Sequence, residues 1–200
     1  METHTLEWSD DPVSFARSLV TGDHTILIYE DPVEARTIEA AFLSGGLSKG
    51  ESAIYLTAFE DPAWVSKSLE DAGLDGIDRF MDSGLLRILR IKSPADESEE
   101  VSQYFDAMYR KVLSGIRSPF RLVGRLYNLV SEDQVMRNIK VEEMTQRNMG
   151  LNIGSVMCSY DMSKISERMQ ISWFSPAVRE HHALVTAPGG RRGIGFYMRD

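Results

Sequence analysis

Apolar and polar positions along the chain switch repeatedly between a spacing of two and a spacing near 3.6. From His24 to Glu30 the sequence HTILIYE is short, apolar and β-branched, which predicts a strand. Asp31-Pro32 breaks it, and Pro32 suits a first helical turn, where the amide it lacks would have no partner. Ala35, Ile38, Phe42 and Leu43 then recur at helical spacing through Leu47, with Gly45-Gly46 and Lys49-Gly50 expected to end the helix. Glu51 to Thr57 (ESAIYLT) reads as a second strand. Two parallel strands joined by such a helix form a βαβ unit.

The same alternation extends outward. Residues 1–22 form a leading segment in which Ser9-Asp10-Asp11-Pro12 signals a helix start and Val13, Phe15, Ala16 and Leu19 follow it. After Thr57, Asp61-Pro62 repeats the corner, and Trp64, Val65, Leu69 and Ala72 give the next helix its apolar face. Gly76 to Ser83 is a connector with a short helical piece, and Leu85 to Ile91 is a third strand. The acidic run Asp96 to Glu100 leads a long amphipathic helix to Gly115. Phe120 to Val130 reads as strand, then helix, and a further helix runs from Ser131-Glu132-Asp133 to Gly150. Leu151 to Tyr160 is a strand. Ser163–Met169 and Ser175–Arg179 are two short helices. His182–Thr186 and Ile194–Met198 flank a basic tip at Arg191-Arg192 and predict a terminal hairpin over 182–198, adding antiparallel strands at one edge. The pattern predicts an α/β fold: a mostly parallel sheet with helices on both faces in a single domain, 1–200.

Composition narrows the function classes. A net charge of −8 argues against nucleic-acid binding. No apolar run approaches a membrane span, and Met1 to Val13 is too polar for a signal peptide, so cytoplasmic residence is expected. The one cysteine, Cys158, excludes an internal disulfide and any cysteine-rich zinc site.

In a nucleotide hydrolase the first strand-to-helix turn would carry G-x-x-x-x-G-K-[ST], whose amides, lysine and hydroxyl hold phosphate and magnesium. Here the turn is Tyr29-Glu30-Asp31-Pro32-Val33-Glu34-Ala35-Arg36-Thr37. It has no glycine and no lysine, and it carries three carboxylates. Ordinary ATP hydrolysis is therefore not expected.

These residues resemble two related groups. A helix ending GLSKGE, the strand IYLT with its acidic corner, a helix ending AGLD, and MDSGLLRI before the third strand look like the first half of a RecA-like domain of the KaiC type. HTILIYED in place of the phosphate loop, and CSYDMSKI from Cys158 to Ile165, look like the MEDS family, the methanogen/methylotroph sensory domain. The resemblance covers about His24 to His182. It implies a three-layer RecA-like fold that has lost hydrolysis, and a sensory or regulatory role toward small molecules such as hydrocarbon derivatives.

Ligands of open α/β sheets bind at the carboxyl ends of the strands. That rule places Tyr29, Glu30, Asp31, Thr57, Glu60, Arg125, Tyr160 and Asp161 around one crevice, with Arg36 on the helix behind it. Glu30 and Glu60 could face each other there, with Arg125 as counter-charge. No catalytic residue, cofactor or metal site is expected. His24 reads as a hydrogen-bonded residue at the start of its strand and Cys158 as core. His181-His182 would point to opposite faces of a strand, and no H-x-x-x-H or C-x-x-C spacing exists. The leading expectation is a non-catalytic domain binding a small-molecule ligand or a signalling protein, with a homo-oligomer possible through a sheet edge. The alternatives are a nucleotide-binding module using Arg36 and Thr37, and an enzyme using Glu30, Glu60 and Arg125.

Overall fold

The computed structural model describes residues 8–96, 100–149 and 154–198. Three Asp-Pro steps start three of its helices. Asp11, Asp31 and Asp61 each cap a helix whose first residue is proline, and each carboxylate accepts two first-turn amides. A short acceptor side chain and a fixed φ are what a helix start needs.

The chain runs β1 (Trp8–Ser9), α1 (Pro12–Ser18), β2 (His24–Tyr29), α2 (Pro32–Leu47) and β3 (Ser52–Thr57). It continues through α3 (Pro62–Asp71), α4 (Ile77–Asp82), β4 (Leu86–Arg90), α5 (Val101–Leu113) and β5 (Phe120–Arg125). The last elements are α6 (Glu132–Met149), β6 (Gly154–Asp161), a single 3-10 turn (Met162–Lys164), α7 (Glu167–Arg179), β7 (Ala183–Ala187) and β8 (Gly195–Tyr197). All these strands form one sheet in the order β1-β8-β7-β2-β6-β5-β3-β4. The six from β7 to β4 are parallel; β8 is antiparallel to β7, and β1 to β8. Helices α1 to α4 bury their apolar sides on one face with Leu27, Tyr55 and Val123. Helices α5 to α7 bury theirs on the other with Ile26, Leu56 and Leu122. The result is a three-layer α/β domain.

Several expectations are corrected in detail. β2 and β3 are not neighbours, because β6 and β5 lie between them. The first arm of the terminal hairpin joins the parallel set beside β2, and only β8 turns back. β1, in a segment too polar to signal a strand, pairs with β8. Helix α2 does not stop at Gly45-Gly46. A Cβ on Gly45 would sit 2.4 Å from the Arg17 carbonyl oxygen, and one on Gly46 would sit 2.7 Å from Arg121 Cδ. These glycines admit close neighbours rather than break the helix. Residues 126–130 are not helical and make one bridge, Leu129 with Ile165. The end of the first short helix, from Glu167, and the second are one, α7, because its buried row Met169, Trp173, Ala177 runs through Pro176 and outweighs one lost hydrogen bond, while Ser163 and Lys164 belong to the 3-10 turn. The start of the predicted strand at Leu151, the helix end at Gly150 and part of the acidic run before α5 lie outside the described residues. Among the described residues no helix is long and apolar enough to cross a membrane.

Candidate functional site

Alternation along the strands splits the predicted crevice between two faces of the sheet. Tyr29, Tyr55, Thr57 and Arg125 fall on the α2 side. There Arg36 and Glu39, one turn apart on α2, meet Arg125 from β5 and Glu60 from the corner after β3. Arg36 Nη2 donates to both carboxylate oxygens of Glu60 at 2.7 and 2.9 Å, and its Nη1 lies 3.2 Å from Glu39. Arg125 reaches Glu39 at 3.4 Å and Glu60 at 3.3 Å. Tyr55 donates to Glu39 at 2.9 Å and also accepts from Arg36. Arg125 stacks over Tyr29 at 4.6 Å. Burial opposes the charge of Arg125, but Glu39, the tyrosines and Glu60 hold its basicity above the ordinary value. Two arginines and two glutamates thus neutralise one another where a phosphate would need free cations.

The remaining crevice residues do not join this cluster. Glu30 is exposed and does not face Glu60, whose partners are the two arginines. Asp31 spends its carboxylate on the amides of Val33 (2.8 Å) and Glu34 (3.2 Å), the donors an anion would use. Asp161 caps the 3-10 turn through Ser163. Thr57 shapes the corner by accepting from Phe59 and Glu60. Tyr160 lies on the opposite face, as period two requires after Val156 and Cys158.

That opposite face holds a second buried polar cluster, which the sequence reading did not assemble. His24 (β2), Glu142 (α6), Cys158 (β6) and His181 (after α7) present atoms that all lie within 4.8 Å of one another, and all four are buried. Glu142 Oε2 is 3.3 Å from His24 Nε2, 3.4 Å from His181 Nε2 and 3.3 Å from Cys158 Sγ. Cys158 Sγ is 3.5 Å from His24 Nε2. The imidazole rings are 3.9 Å apart. Glu142 Oε1 accepts from Tyr160 and lies 3.4 Å from Asn138 Nδ2; Asn138 is itself oriented by Trp173 Nε1 at 2.8 Å. Burial alone would raise the Glu142 carboxyl, but the adjacent His181 and His24 hold it well below the usual carboxylate range. Burial pushes the His24 imidazole down, and His181 adds to this against the pull of Glu142. Burial and the Glu142 charge both push the Cys158 thiol up.

Beside this cluster, between the sheet and helices α5 and α6, lies a cavity of about 40 Å³. Leu56, Phe105, Met108, Tyr127 and Val141 line it, with Gly124 and Cys158 from adjacent strands. Tyr109 also lines it, and its buried hydroxyl has no hydrogen-bond partner among the described residues.

The family model described as MEthanogen/methylotroph, DcmR Sensory domain (MEDS) matches residues 23–175. The chain belongs to the MEDS family. Its residues therefore form a sensory domain, which fits the expected sensory or regulatory role. The KaiC-like protein PH0186 from the hyperthermophilic archaeon Pyrococcus horikoshii OT3 is similar in structure, with a TM-score of 0.58 at 14% identity over 84% of this chain and 72% of that one. That likeness establishes the RecA-like fold of this MEDS domain. No curated protein matches the chain.

One signal for the second cluster was present in the MEDS sequence. Asn138 and Glu142 stand on α6 in phase with Val135, so polar side chains occupy inward positions. His181 likewise continues the spacing of four set by Met169, Trp173 and Ala177. Of the pair His181-His182 only the first enters the cluster; both precede β7, so strand alternation does not divide them, and His182 instead meets Gln146 of α6 at 3.0 Å and accepts from the His24 amide.

Proposed function

We propose that this MEDS domain senses a small, largely apolar organic molecule bound between the sheet and helices α5 and α6, without chemical turnover. The observation that carries the reading is the apolar cavity with a single unpartnered hydroxyl, that of Tyr109, in its wall. Pockets for small ligands combine an apolar lining with few polar groups that fix orientation. A ligand with one hydrogen-bonding group would satisfy Tyr109 and bury its remainder. Ordering of α5 against the sheet would then be read by a partner protein or a second copy of the chain.

The carboxyl-edge cluster of Tyr29, Arg36, Glu39, Glu60 and Arg125 we read as a structural ion-pair core. Nucleotide binding without hydrolysis is the second reading, favoured by the fold. Against it stand the two arginines already paired and the Asp31 carboxylate on the helix amides. An enzyme built on Glu30, Glu60 and Arg125 is opposed by the exposure of Glu30 and the pairing of Glu60.

The reading is tested by thermal unfolding with a panel of short-chain alcohols, ketones and alkanes. At least one is expected to raise the midpoint saturably. If none does, or if Mg-ATP does instead, the cavity is not the sensory site.

A further inference from the structure

We propose that His24, Glu142, Cys158 and His181 form a site for one zinc-class divalent ion, held by two imidazole nitrogens, one carboxylate oxygen and one thiolate sulfur. A tetrahedral ion with its usual bonds to nitrogen, oxygen and sulfur would separate neighbouring ligand atoms by about 3.3–3.6 Å. Four of the six separations here, from Glu142 to His24, His181 and Cys158 and from Cys158 to His24, are 3.3, 3.4, 3.3 and 3.5 Å, and the other two, from His181 to His24 and to Cys158, lie within 4.8 Å.

The donor chemistry points the same way. His181 Nδ1 is 2.7 Å from the Ala177 carbonyl oxygen, and His24 Nδ1 is 2.9 Å from that of Glu180 and 3.0 Å from Gln146 Oε1. A carbonyl oxygen only accepts, so each ring carries its hydrogen on Nδ1 and turns the Nε2 lone pair inward. Both lone pairs then face Glu142 Oε2, itself an acceptor, and His181 Nε2 has no hydrogen-bond partner among the described residues. Three acceptors this close repel unless a proton or a metal cation lies between them. Protonating both rings would bring two cations face to face at 3.9 Å. A dication with the Glu142 carboxylate and the Cys158 thiolate is neutral overall, which suits a dry interior. The surrounding bonds have the form that orients metal ligands: backbone carbonyls on the far nitrogens, and Tyr160 and Asn138 on the far carboxylate oxygen. Sulfur and nitrogen donors exclude calcium and magnesium, which take oxygen shells. On binding, the Cys158 S–H bond breaks, the sulfur pair forms the bond to the ion, and the proton leaves to solvent, about one per chain.

Cys158 lines the cavity as well, but the metal proposal does not depend on what enters it. The test is cobalt(II) titration of the full chain after treatment with a chelator. One cobalt per chain is expected, with a thiolate-to-cobalt charge-transfer band, strong visible bands of four-coordinate cobalt, and displacement by zinc. Cys158→Ser should lose the charge-transfer band, and His181→Ala should weaken binding by at least about tenfold. Cys158 is the one cysteine of the chain, so the wild-type band alone assigns it even if a variant fails to fold. The proposal falls if folded wild-type protein gives no saturable cobalt spectrum and no zinc-dependent shift in unfolding. It also falls if both folded variants reproduce the wild-type spectrum.

Discussion

Arg36 grips both carboxylate oxygens of Glu60 with one nitrogen, at 2.7 and 2.9 Å, and that grip closes a buried ring with Glu39 and Arg125. Glu39 is fully buried and touches both arginines. Glu39→Ala leaves them short of a counter-charge, and a loss of about 3–5 kcal/mol is expected in urea unfolding. Pairing it with Arg125→Met should cost less than the sum of the two, by about 0.5–3 kcal/mol. Additive losses would mean the ring does not act as a unit.

The same ring bears on nucleotides. A ligand at a hundredfold excess over its Kd stabilises by about 2.7 kcal/mol. For a chain of this size that is about 5–11 °C in Tm. Millimolar Mg-ATP is expected to leave the midpoint where it is. A rise of that size, abolished by Arg36→Ala, would restore the nucleotide-binding reading.

Helix propensity makes a wrong forecast at Gly45. In an open helix, glycine to alanine gains up to about 1 kcal/mol. Here the added carbon would lie 2.4 Å from a backbone oxygen, that of Arg17, which has little room to yield. Gly45→Ala is expected to destabilise by about 1–3 kcal/mol, measured by denaturant midpoint. A gain would show that α1 can move away from α2.

The cavity offers a test with opposite signs. A carbon added at Gly124 meets nothing nearer than Leu126 Cδ1 at 3.8 Å. Gly124→Ala should raise stability by about 0.4–1 kcal/mol through a stiffer unfolded chain, and Gly124→Val should fill the cavity and remove the response to apolar ligands. A retained response would place the ligand elsewhere.

Alkaline pH gives a further readout. Burial pushes the phenols of Tyr29, Tyr55, Tyr109, Tyr127 and Tyr160 above their ordinary value. These are five of seven tyrosines, so at most two phenolates should form near pH 10 while the fold holds. The folded chain then keeps protons the unfolded chain has lost. Stability is therefore full below the ordinary phenol pKa and falls as pH rises beyond it. Ultraviolet titration with and without urea would show the difference; seven phenolates in the folded protein would contradict it.

What could be read from sequence follows from the range of each interaction. The Asp-Pro starts at Asp11, Asp31 and Asp61 act over three residues, and all were legible. The absence of glycine and lysine from the turn at Tyr29–Thr37 could be read for the same reason. Sheet order was not, because nothing local tells β2 that its neighbours are β6 and β7. The Arg36, Glu60 and Arg125 contacts were half visible, since Glu60 and Arg125 sit at strand ends and Arg36 on the helix behind them. Glu39 and Tyr55, which complete them, looked like ordinary helix and core residues. The cluster of His24, Glu142, Cys158 and His181 draws on three elements and the loop after α7, with His24 and Cys158 separated by 134 positions. Only the polar residues on the inner side of α6, and His181 in phase with the buried row of α7, betrayed it.

β2 touches both buried polar clusters: His24 at its amino end on one face, Tyr29 at its carboxyl end on the other. A strand covered on both sides has no wet side to tell correct pairing from a slip by one residue. In β2 such a slip would swing the imidazole toward α2 and the phenol toward α6, stranding the carboxylate of one cluster and uncovering the guanidinium of the other. The polar residues at its two ends therefore serve as alignment pins, and the chain settles into one registration because every other leaves charge without company.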